Sequence, residues 1–89
     1  MKKVLVYSAD SGLSYNSYIL MAVCDTKQIA INLIMPELVK YSIENFTSEG
    51  YDSSKQLIGD LIHSLNDISQ TQSMDTNYVI KEIEANKLF

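Results

Sequence analysis

The chain has 89 residues, 46% of them hydrophobic and 20% charged, with a net charge of −4. That length fits one domain, 1–89, and the balance suits a folded globule rather than a disordered segment. Cys24 is the single cysteine, so an internal disulfide and a four-thiolate zinc site are both excluded.

The basic residues are all lysines, at 2, 3, 27, 40, 55, 81 and 87, and no arginine occurs. Arginine's planar fork is the preferred reader of phosphates and guanine edges, so its absence and the acidic balance argue against direct nucleic-acid binding. The apolar run after Lys2 and Lys3 stops at Ser8, too short for a secretory leader, and no run is long enough for a membrane span. The expected location is the cytoplasm.

In chain order, Lys3–Ser8 is a β-branched and aromatic run that ends at the breaker cluster Ala9-Asp10-Ser11-Gly12. Tyr18–Cys24 is a second apolar run of strand length. The connection Ala9–Asn16 between them is long for a hairpin, so an antiparallel pair with an elaborated tip is expected. Asp25 can cap a following helix, with Gln28 at the reciprocal capping-box position. Residues 26–35 of that helix are apolar nearly all round, which predicts a buried helix. Pro36 either kinks it or begins a second one. Val39, Ile43 and Phe46 share a face, and Gly50 ends the unit.

Residues 53–69 carry the clearest pattern. Leu57, Ile58, Leu61, Ile62, Leu65 and Ile68 form one apolar stripe, with Asp52, Ser53 or Ser54 as the cap. Thr71–Thr76 reads as loop and Tyr78–Ala85 as a third strand. The predicted architecture is α+β: a three-stranded sheet in the order β-β-α-α-β, with both helices on one face. Two returning helices predict a third strand parallel to the first. Strands one and two are apolar on both faces, where a half-buried strand alternates. The sheet face away from the helices is therefore expected to be covered by self-association, giving a homodimer, or by a partner protein.

The sequence offers no catalytic constellation. His63 is the single histidine, and it falls on the polar side of the second helix. Cys24 closes an apolar run, the usual setting of an inert packing cysteine. No phosphate-loop, dinucleotide, zinc-protease or nucleophile-elbow motif occurs, so no catalytic residue, metal ligand or cofactor is assigned. Two sets of binding residues stand out. The hairpin tip combines Asp10, Ser11, Gly12, Ser14, Tyr15 and Asn16, with backbone freedom, hydroxyls and an aromatic. An aromatic surface from Tyr7, Tyr18, Leu20 and Tyr78 is the candidate interface.

The run Lys3-Val4-Leu5-Val6-Tyr7, the strand ending Ala22-Val23-Cys24 and the junction Asp25-Thr26-Lys27-Gln28-Ile29-Ala30 resemble small phage-encoded proteins. In those, a hairpin enters a helix through a Val-aromatic-Ser/Thr-x-Lys-Glu-x-Ala junction. Ile80–Lys87 is similar to their closing strand. Here Cys24 replaces the aromatic, and the long middle with a second helix is extra. The resemblance implies a phage or mobile-element origin and a bacterial host protein as partner, such as a restriction or CRISPR nuclease that the protein disables. The alternative is a dimer that sequesters a nucleotide messenger with the Asp10–Gly12 amides, Lys2 or Lys3 and stacked tyrosines. A host regulatory or toxin-neutralising subunit is the third reading.

Overall fold

The computed structural model describes residues 2–84; Ala85 and the rest of the phage-like closing pattern lie outside the described residues. It has β1 (Lys2–Ala9), β2 (Ile19–Cys24), α1 (Lys27–Asn45), α2 (Ser54–Ile68) and β3 (Asn77–Glu84). The fold is α+β with the expected element order β-β-α-α-β, and β1 lies at the centre of a sheet ordered β2-β1-β3.

β1 is central because it alone has a partner on each side, with Leu5 opposite Val23 on one flank and Lys81 on the other. Its alternate residues Val4 and Val6 are buried against the helices, and Cys24 and Ile80 join them. From the helices the core adds Ala30, Ile31, Ile34 and Leu38 of α1 and Leu57, Leu61 and Leu65 of α2. A bulge between Val6 and Tyr7 shifts the β1–β2 register, so Leu20 sits opposite Tyr7 although Ala22 sits opposite Val6. Leu20 and Val23 consequently share the face turned away from the helices.

The direction of β3 corrects the sequence reading: it runs antiparallel to β1. Its starting end is set by the connection after α2. The two helices do return the chain, as the Lys27 ammonium at the start of α1 donates to Asn66 O and Ser69 Oγ at the end of α2 (3.2 and 3.1 Å). Residues 69–71 then run once more beside the outer edge of β3 before the chain turns into that strand. Ile80 N donates to Ser69 O (2.7 Å), Thr71 N donates to Tyr78 O (3.0 Å), and Gln70 pairs antiparallel with Val79. That extra pass reverses the strand that follows.

Two local readings change and one alternative is decided. Thr26, not Asp25, caps α1, its hydroxyl accepting from Ile29 N (3.1 Å), because the Asp25 carboxylate is captured by the Lys3 ammonium. Gln28, freed from any capping box, donates to Asn32 Oδ1 (2.9 Å). Second, of the two alternatives at Pro36 no second helix begins there, since α1 is one helix that runs through it. Third, α1 is not buried all round. Ala30, Ile31, Ile34, Leu38 and Ser42 face inward, but Ile29, Leu33 and Ile43 are exposed. Val39 and Ile43 line a surface groove with Pro36 rather than the core. Gly50 closes the turn after α1 at φ +85°, a conformation only glycine adopts without strain, while Tyr51 N reaches back to Phe46 O (2.8 Å). Ser53 caps α2 by accepting from Gln56 N (3.3 Å).

Candidate functional site

The hairpin tip is held by its own side chains. The Asp10 carboxylate accepts from Gly12 N (3.1 Å), Ser14 N (3.0 Å) and Ser14 Oγ (2.7 Å). These bonds, the Ser14 backbone N–H foremost, hold the Asp10 carboxyl below its ordinary value. Ser17 Oγ accepts from Asp10 N (2.9 Å) and donates to Ser14 O (2.7 Å), which sets up a single 3-10 turn over Tyr15–Ser17. Asp10 and Gly12 therefore have no spare backbone donor for an anion. The lysines of the nucleotide reading lie elsewhere as well. Lys2 pairs with Glu84 at the opposite end of β1, and Lys3 holds Asp25. The tip does not converge with either lysine within one subunit.

A buried polar hub fixes this tip from below. Asn77 is fully buried. Its Nδ2 donates to Asp10 O (3.3 Å), Ser11 O (3.4 Å) and Met74 O (3.1 Å). Its Oδ1 accepts from Thr71 Oγ1 (2.9 Å) and Met74 N (3.1 Å). The only sequence hint is an amide standing at the head of an apolar strand.

Above that base, the tip leads into an aromatic row. Tyr15 is 87% exposed, and its ring centroid lies 5.9 Å from Tyr18, which lies 6.0 Å from Tyr7. Ser11, Asn16 and Tyr15 face solvent at the end of this row. Lys81 reaches across from β3 and sets its ammonium 5.8 Å from both the Tyr7 and Tyr18 centroids. The row continues into the outer sheet face, where Leu20 is 51% and Val23 58% exposed, next to half-buried Leu5 and Ile83. Ile19 and Met21 of the same strand are exposed too.

The structure thus gathers Tyr7, Tyr18 and Leu20 of the expected interface on one surface, continuous with the tip. Tyr78 is the exception. It lies opposite Ser8 on the helix-facing side, is only 5% exposed and belongs to the core. Burial accordingly raises its hydroxyl pKa. A second apolar surface runs along α1, where Asn32, Met35, Pro36, Val39 and Ile43 line an open groove of about 650 Å³.

Chemistry-bearing residues do not gather. His63 is exposed on α2, and Cys24 is a buried core member. Among the described residues no three His, Cys, Asp or Glu side chains are placed to hold a metal ion, and no helix is long and apolar enough to cross a membrane. No protein-family model, curated protein or solved structure matches this chain.

Proposed function

We propose that this is a non-enzymatic binding protein that docks onto a second protein through the outer face of its sheet. One observation carries the reading: Leu20 and Val23 stand more than half exposed beside Leu5, Tyr7 and Tyr18, on a face that is buried at Ala9 and Val79 but lies open along β2. Soluble monomers keep apolar patches to a few hundred Å², and the largest patch is often functional. An uncovered apolar sheet bordered by amphipathic tyrosines has the composition of an interface centre. The narrower identity, a phage-encoded inhibitor of a bacterial host enzyme or defence nuclease acting in the host cytoplasm, is supported by the likeness of the Ala22–Ala30 junction to phage proteins.

The experiment compares two immobilised baits, the wild-type protein and the Leu20→Glu/Val23→Glu variant, against lysates of candidate hosts. Both positions are exposed, so the variant keeps its fold, checked by circular dichroism. The expected result is a host protein retained by wild type, lost with the variant and bound again when purified. Identical retention by the two baits would remove the outer face from the proposal.

A further inference from the structure

The charge pattern of the outer face narrows the partner. We infer that the surface formed by Leu5, Tyr7, Tyr18, Leu20, Val23 and Lys81 receives a protein segment that presents an aspartate or glutamate carboxylate among apolar side chains. This rests on the docking face proposed above and adds the chemistry of what docks.

The argument starts from the position of Lys81. It lies opposite Leu5, in the middle of the β1–β3 ladder, and its ammonium stands over the two tyrosine rings. A partner that covers Leu5 and Leu20 must also remove this ammonium from water. Ring faces offset little of that cost, and an uncompensated buried charge is strongly unfavourable. The covering surface therefore has to supply an anion.

A second copy of this chain cannot supply it from the same face. On the outward side of the ladder, Ala9 and Val79 are buried, and the accessible positions are Lys3, Leu5 and Tyr7 on β1, Lys81 and Ile83 on β3, and Leu20 and Val23 on β2, with no carboxylate among them. Asp25, at the rim, is already engaged by Lys3. Glu82 alternates to the other side, opposite Val4. Face-to-face stacking of two copies would bury two Lys81 ammonium groups, one from each, with no carboxylate from either face to pair them. A nucleic-acid phosphate could answer the ammonium and a base could stack on a tyrosine, but the chain is acidic, has no arginine, and the other lysine on this face, Lys3, is engaged by Asp25, so no basic track follows a phosphate backbone. A carboxylate within an apolar protein segment satisfies both halves of the surface.

Selection of displayed random peptides against the full-length protein tests this directly. Selected peptides are expected to be enriched in Asp and Glu beside aliphatic residues. The best of them should lose binding to Leu20→Glu/Val23→Glu and bind Lys81→Met at least about tenfold more weakly. Selection on Lys81→Glu should shift the enrichment to Lys and Arg. If the apolar pair abolishes binding but Lys81→Met does not weaken it, the docking face stands and the carboxylate is wrong. If neither change matters, or no peptide is selected, both fall. A dimer in sedimentation velocity that Leu20→Glu dissociates, or preferential binding of a single-stranded oligonucleotide, also overturns the inference.

Discussion

Asn77 shows how much one side chain contributes when it is both buried and fully bonded. Its amide ties together the hairpin tip, the connection after α2 and the start of β3, three segments distant in sequence. Replacing it with alanine strands the Thr71 hydroxyl and the Met74 N–H without acceptors. Each buried polar group left unpaired costs about 1–3 kcal/mol. Asn77→Ala is therefore expected to lose about 2–4 kcal/mol in urea denaturation, a large share of the roughly 4–13 kcal/mol available to a chain of this size. A loss below about 1 kcal/mol would mean that water replaces the amide. Asn77 was not legible beforehand, since an Asn before an apolar strand reads as a turn residue. The cap of α1 was misjudged for a related reason. Asp25 and Thr26 are both good caps, and the choice falls to Lys3, which is remote in sequence and takes the carboxylate.

Among the elements, those with strong periodicity were the readable ones. In the α2 stripe Leu57, Leu61 and Leu65 are buried as their spacing requires, Ile58 and Ile62 are half-buried and Ile68 is exposed, and both hairpin strands fall within a residue or so of their apolar runs. α1 was harder to read, because an apolar circumference signals burial only when there is enough protein to surround it. With a three-stranded sheet and one other helix, one side of α1 stays in water. Pro36 sits on that side and withholds the N–H that would bond to Asn32 O in the preceding turn. Pro36→Ala should restore that bond at the cost of a more flexible unfolded chain. The expected net gain is about 1–2 kcal/mol, read as a higher urea midpoint with an unchanged slope. A loss of stability would show instead that the helix is built around the proline ring. β3 is legible in position but not in direction, because residues 69–71 carry no strand pattern and yet run along the sheet edge.

For the whole molecule, proton linkage sets the limits of stability at both ends of the pH scale. Asp10 and Asp25 have folded values below their ordinary 3.8, Asp10 through Ser14 and Asp25 through its bond to Lys3. Their contribution is present above the unfolded value and disappears as pH falls through the folded one. Tyr41, Tyr51 and Tyr78 are shifted upward. Desolvation leads for Tyr41 and Tyr78, and the hydrogen bond to Asp60 leads for Tyr51. Their contribution is full below the unfolded value near 10 and is lost as pH rises through the folded values. The urea midpoint should be level from about pH 5 to 9 and fall on either side. The amides of Gly12 and Ser14 should lose hydrogen-exchange protection early on the acid limb. Retained protection there below pH 2 would show that the tip does not depend on the Asp10 carboxylate.

The pass of residues 69–71 along β3 has a further effect on assembly. It occupies the hydrogen-bonding side of Tyr78 to Ile80, so among the described residues β2 is the strand whose margin is bare along its whole length. A β structure extends into a filament only when both margins can accept another strand. This subunit can offer a full-length margin on one side alone, so any growth by strand addition stops after a single event.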